Sequence, residues 1–135
     1  SAETILARDY RDRRILLVED EPINREVTWE LLHVLGMAIE MAEDGLQAVE
    51  LASRHHYDLI LMDMQMPNLD GLEATRRIRQ LADRARTPIL ALTANAFAED
   101  RCRCLYAGMN DVIAKPVDPE TFFATMLKWL ARQSD

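Results

Sequence analysis

Glu19-Asp20, Asp63, Thr93 and Lys115 are the residues of this 135-residue chain whose types and placing could do chemistry together. Each stands directly after a short apolar run. Ile15-Leu16-Leu17-Val18 ends at the acidic pair, Leu59-Ile60-Leu61-Met62 at Asp63, Ile89-Leu90-Ala91-Leu92 at Thr93, and Val112-Ile113-Ala114 at Lys115. A carboxylate at the end of an apolar segment is costly unless water, a cation or a donor meets it. Three carboxylates within a few ångströms repel, and one or more takes up a proton unless a cation sits among them. Oxygen ligands of this kind suit a hard cation such as Mg²⁺, which keeps waters and takes one or two carboxylates plus phosphate oxygens. A lysine and a hydroxyl beside the metal complete a pocket for a phosphoryl group, whose transfer depends on positioning and charge neutralisation. One carboxylate can then act as nucleophile and become an aspartyl phosphate, and Asp63, alone between the acidic pair and the Thr/Lys side, is the natural choice.

For these residues to meet, the apolar runs must lie side by side and end on one edge. The runs are short and continuous, as parallel strands covered on both faces are. A further run, Ala38-Ile39-Glu40-Met41-Ala42, alternates and carries a charge, as an edge strand does. Helix patterns lie between them. The first has Pro22 near its first turn, Val27, Leu31 and Val34 on one face, and Gly36 at its end. Asp44 with Gln47 and Asp70 with Glu73 resemble capping boxes opening the second and third. Residues 97–107 make a fourth, closed by Gly108. Asp118-Pro119 opens a fifth, with Phe122, Met126, Trp129 and Leu130 as its apolar stripe. Five βα units predict an open parallel sheet with helices on both faces, and ligands bind at the carboxyl ends of such strands. Residues 1–12 read as a polar lead-in or linker and residues 13–132 as one domain.

The totals agree with a folded globule: 49% hydrophobic, 29% charged. A net charge of -7 argues against direct nucleic-acid binding. No apolar run is long enough to insert in a membrane, and the start of the chain has no signal-peptide core. Two cysteines are too few for a disulfide framework, and a reducing cytoplasm fits best. The chain begins at Ser1 rather than Met, which suggests a domain cut from a longer protein.

Four stretches carry a resemblance: VEDEP at 18–22, LMDMQMPNLDG at 61–71, LTANA at 92–96 and GMNDVIAKP at 108–116. Over about residues 13–132 the chain resembles the receiver domains of two-component response regulators. The resemblance implies a flavodoxin-like (βα)5 fold, a doubly wound parallel sheet with strand order 2-1-3-4-5. It implies that Asp63 accepts the phosphoryl group, that Asp20 binds Mg²⁺ directly and Glu19 through water, and that the main-chain carbonyl of Gln65 completes the protein ligands. Thr93 is then the switch hydroxyl and Lys115 the cation on the phosphoryl group, with Lys115-Pro116 cis. The implied donor is a phosphohistidine on a histidine kinase or a histidine phosphotransfer partner. The wording MPNLDGLEATRRIR, LTANAFAED and AGMND is most like receivers of hybrid sensor histidine kinases.

Two positions depart from that pattern. The acidic pair is Glu-Asp rather than the commoner Asp-Asp, and Val112 stands where many receivers carry an aromatic ring, so output is expected through the loop around Thr93 to Phe97 and through the fourth helix. Two other functions compete. An aspartyl-nucleophile phosphohydrolase generally needs a second Asp two residues after the first, where this chain has Gln65. A degenerate receiver serving only as an interaction module would not be expected to keep Asp20, Asp63, Thr93 and Lys115 together. Singly, each site residue has an ordinary account as cap, turn former or solvated charge. Cys102 and Cys104 point apart on a helix and lack a flanking histidine, Arg76, Arg77, Arg79, Arg84 and Arg86 read as a solvated face, and Met64 and Met66 as packing.

Overall fold

A computed structural model describes residues 1–133. In chain order the elements are α1 (Ala2–Asp9), β1 (Arg14–Val18), α2 (Pro22–His33), β2 (Ala38–Ala42), α3 (Gly45–Arg54), β3 (Leu59–Asp63), α4 (Gly71–Gln80), β4 (Ile89–Thr93), α5 (Ala98–Ala107), β5 (Asp111–Ala114) and α6 (Pro119–Gln133). The strands pair in parallel in the order β2-β1-β3-β4-β5, the expected flavodoxin-like arrangement. Alternate residues of each central strand serve opposite cores. Leu16, Val18, Ile60, Met62 and Ala91 face α3, α4 and α5, while Ile15, Leu17, Leu59, Leu61, Leu90 and Leu92 face α1, α2 and α6. Covering both faces is why these strands read as unbroken apolar runs. The edge strands are less covered: β2 has exposed Ala38 and Met41 with half-buried Glu40, and β5 has half-buried Asp111 and exposed Ala114.

The register aligns the polar strand ends. Val18 lies level with Met62, Asp63 with Leu92, and Thr93 with Ala114, so Glu19, Asp63, Thr93 and Lys115 fall within one residue of a common line. The caps form as anticipated: Asp44 accepts from the Gln47 N–H at 2.8 Å, Asp70 from the Glu73 N–H at 2.9 Å, and Gly108 ends α5 with φ of 112°.

Three expectations are corrected. The segment taken as a lead-in is largely α1. Ser1 caps it, and Ala2, Leu6 and Tyr10, four residues apart, pack on the core, with Leu6 fully buried beside α6. The many charges around that stripe hide it in the sequence. On α2 the buried face is Thr28, Leu32 and the following Leu35, while Val27 and Val34 are 51% and 58% exposed. Both sets have the same helical spacing, so periodicity cannot choose between stripes one residue apart. The arginine cluster is not all solvated. Arg84 is buried, and its guanidinium donates to the carbonyls of Ala52 and Ala82 at 2.7 and 2.8 Å. Arg79 donates to the carbonyls of Gly108, Arg84 and Thr87 and to the Asn110 side chain. At the sheet edge remote from the strand carboxyl ends these two side chains supply the donors that loop carbonyls lack.

Leu6→Ala is expected to lower the unfolding free energy by about 2–4 kcal/mol, because it opens a cavity between α1 and α6. Urea unfolding followed by circular dichroism measures this, and an unchanged midpoint would show that α1 is not docked in solution.

Candidate functional site

Each side chain at the strand ends is set by a local device. The β1 strand delivers Glu19, and the main chain there is tied down by Arg25, whose Nη1 donates to the Glu19 carbonyl at 2.9 Å. Glu21 accepts from the Asn24 N–H at 2.7 Å and, with Pro22 in the first turn, starts α2 directly behind the acidic pair. After β3 the chain doubles back. The Gly71 N–H reaches the Met64 carbonyl at 3.2 Å, and a Cβ at residue 71 would press on the Asp63 carbonyl, so glycine permits the close approach of α4. The Lys115-Pro116 peptide is cis.

Glu19, Asp20, Asp63, Gln65, Thr93 and Lys115 all line one open cleft of about 300 Å³. The carboxylates of Glu19, Asp20 and Asp63 each offer an oxygen within 4.8 Å of the others. Glu19 and Asp63 are 1% and 4% exposed. Lys115 Nζ lies between them, 2.8 Å from Glu19 Oε1 and 3.0 Å from Asp63 Oδ1. Although Glu19 Oε1 is close to that ammonium, it accepts no well-directed hydrogen bond and is buried. The Gln65 N–H points to Asp63 Oδ1 at 3.4 Å. Thr93 Oγ1 accepts from the Asn95 N–H at 3.0 Å and donates to the Asn95 carbonyl at 3.4 Å.

The electrostatics follow from burial and like charge. Burial pushes the Asp63 carboxyl up from the ordinary carboxylate range, Glu19 adds to the push, and Lys115 opposes it. Burial works against the charge of Lys115, but Glu19 and Asp63 outweigh it and hold the ammonium above its ordinary range. One lysine thus serves two buried acids with a third beside them, leaving negative charge and an oxygen without a directed partner. A hard divalent cation fits this donor set.

The sequence-predicted residues therefore come together as a group. Three others were not singled out. Glu21 and Asn24 line the cleft, and Arg25 anchors its wall. Their signal was their place in the turn after the acidic pair, which reads equally well as helix capping.

Comparison with known proteins agrees with this geometry. The family model for the response regulator receiver domain matches residues 15–127. The sensor histidine kinase RcsC of Escherichia coli (strain K12) is 40% identical over 124 residues, covering 92% of this chain but only 13% of that protein. The receiver domain of sensor histidine kinase PA1611 from Pseudomonas aeruginosa PAO1, crystallised with a magnesium ion coordinated in its active site cleft, is 47% identical, with a TM-score of 0.83 over 88% of this chain and 98% of that one. The co-crystal structure of the Saccharomyces cerevisiae histidine phosphotransfer signaling protein Ypd1 with the receiver domain of its downstream response regulator Ssk1 matches at 28% identity and a TM-score of 0.82, covering 91% and 92% of the two chains.

Because the folded chain holds Asp63 above its ordinary range, its protonation favours folding. That stability is present in acid and is lost as pH rises through the raised value, so at neutral pH the ionised Asp63 opposes folding. Asp63→Asn is accordingly expected to raise the melting temperature of the protein in EDTA. Wild type, not the variant, should gain about 2.7 kcal/mol when Mg²⁺ stands at a hundredfold excess over its dissociation constant. Calorimetry with EDTA and with MgCl₂ checks both, and an Asp63→Asn chain that melts earlier in EDTA contradicts the electrostatics.

Proposed function

Because this chain belongs to the response regulator receiver domain family, we propose that its cleft accepts a phosphoryl group on Asp63. One observation carries the assignment: Lys115 Nζ is held 3.0 Å from Asp63 Oδ1 at the centre of a three-carboxylate cluster. Asp20, Asp63 and the Gln65 carbonyl, with Glu19 behind them, would hold Mg²⁺, which when bound would supply positive charge to offset that of the phosphoryl oxygens. The protein's own groups do the rest. Asp63 supplies an oxygen that attacks phosphorus as the phosphorus–nitrogen bond of a phosphohistidine breaks, and the histidine nitrogen keeps the electron pair. Lys115 swings its charge onto a phosphoryl oxygen and leaves Asp63 for Glu19 and the new group. Thr93 turns its hydroxyl proton from the Asn95 carbonyl to another phosphoryl oxygen. The β4–α5 loop is then the two-state element. Val112, 8% exposed, brings no aromatic ring to β5 that could move with it.

The donor is a histidine kinase or a histidine phosphotransfer protein, and the parent chain is of the hybrid sensor kinase kind. The exposed apolar stripe of Ile23, Val27 and Val34 on α2 gives the donor a place to dock. A groove of about 140 Å³ lined by Val27, Leu92, Pro116 and Val117 adjoins the stripe and shares Glu19, Asn24 and Lys115 with the acid cleft. A helix laid in that groove would bring a histidine on its face to the mouth of the cleft.

Incubation with Mg²⁺ and acetyl phosphate is expected to add the mass of one phosphoryl group to the intact protein, and none to Asp63→Asn. Rapid hydrolysis of many phosphate esters would instead indicate a phosphohydrolase, and no adduct an interaction module. Val27→Asp should slow transfer from a phosphotransfer protein by about tenfold or more. Its loading from acetyl phosphate, which needs no docking, should stay at the wild-type rate. Equal slowing with both donors would locate the defect in the cleft.

A further inference from the structure

Phe97 is an aromatic side chain left 75% exposed at the N-cap of α5, where no side chain bonds to the free helix N–H groups. Phe97 stands just ahead of α5, within which Asp100, Cys104 and Ala107 follow at intervals of four and three and share a face. Cys104 and Ala107 on that face are buried, with Cys104 Sγ 3.6 Å from Met64 Sδ. Asp100 lines a groove of about 370 Å³ whose apolar wall is Met64, Met66 and Leu72. Four of the groove's residues, Met64, Gln65, Thr93 and Asn95, also line the acid cleft, so the two spaces join beside Asp63. Phe97 itself lines neither space, but Asn95 and Asp100 on either side of it in the chain line the groove, so a rearranged loop can carry its ring to the apolar wall.

What keeps the ring out is the short loop between Thr93 and α5. Thr93 Oγ1 bonds both to the Asn95 N–H and to the Asn95 carbonyl, which closes the loop on itself. A hydroxyl has one proton to give. When a phosphoryl oxygen on Asp63 takes it, the Asn95 carbonyl loses its partner and residues 94–97 are free to rearrange.

We propose that in the phosphorylated state Phe97 folds onto Met64, Met66 and Leu72 as a lid and slows hydrolysis of the aspartyl phosphate. Hydrolysis adds a water oxygen to phosphorus and breaks the bond from phosphorus to the Asp63 oxygen. The carboxylate leaves with the electron pair, and the water proton passes to solvent as inorganic phosphate departs. Gln65 and Asn95 line both spaces beside Asp63, and a ring laid over them narrows the way for water to phosphorus. The lid rests on the assignment of Asp63 as acceptor.

The test compares wild type, Phe97→Ala and Phe97→Leu. Each is loaded with acetyl phosphate and Mg²⁺, freed of donor, and followed by intact mass as the adduct decays. Phe97→Ala should lose phosphate about tenfold faster, the factor that ~1.4 kcal/mol of lid closure represents. Phe97→Leu, which can still cover the apolar wall, should stay near wild type. Melting temperatures without phosphate should coincide, because the exposed ring packs on little in that state, and this separates a lid from a residue that merely holds the fold. Equal lifetimes in all three chains would overturn the lid alone. A wild-type chain that gains no mass would overturn the acceptor and the lid together.

Discussion

The confinement of Glu19 and Asp63 with a single ammonium is the interaction from which the rest of the structure takes its meaning. Two acids almost without water contact share one Lys115, with Asp20 close by. Removing such groups from water costs several kcal/mol each unless geometry and partners compensate. Here compensation is partial, since Glu19 Oε1 has no directed donor. A fold seeking only stability would not keep this arrangement. An oxygen-lined cluster with surplus negative charge suits a hard cation, which brings the charge that the resting cluster lacks.

The parallel sheet is what makes that confinement affordable in chain terms. All five strands run the same way, so their carboxyl ends share one edge, and residues nearly a hundred positions apart meet there with little intervening machinery. Both sheet faces are filled by side chains of alternating direction, which leaves the edge as the place where polar groups can gather.

Much of this was legible in the sequence because strand ends are abrupt. An unbroken apolar run that stops at Asp63 or Lys115 states both where the strand ends and which group stands at its tip. The edge character of residues 38–42 and the caps at Asp44 and Asp70 were equally plain, since each depends on local chemistry. The failures were matters of orientation and of distant packing. On α2, Val27 and Leu32 belong to equally good stripes, and only the entry angle at Glu21 and Pro22 selects between them. In α1, Leu6 is buried by a helix more than a hundred residues away. For Arg79 and Arg84, charge suggested solvent, whereas unpaired loop carbonyls drew the guanidinium groups inward. The partners that decide such cases are distant in the chain, so no local pattern encodes them.

The two ends of α5 are held very differently. At its C-terminal end the Gly108 carbonyl is gripped by Arg79 at 2.9 Å, and the same guanidinium clamps Thr87 and Asn110. At its N-terminal end no side chain caps the first turn, and the tie there is the half-exposed Arg101–Asp111 pair at 3.6 Å. A rod pinned at one end and loose at the other pivots; it does not slide. With ten residues rising 1.5 Å each, a swing of about ten degrees carries the loose tip roughly 2–3 Å while the pinned end hardly stirs. The arginine staple, remote from the acids, thereby acts as a fulcrum that turns a small disturbance near Thr93 into leverage along a whole helix.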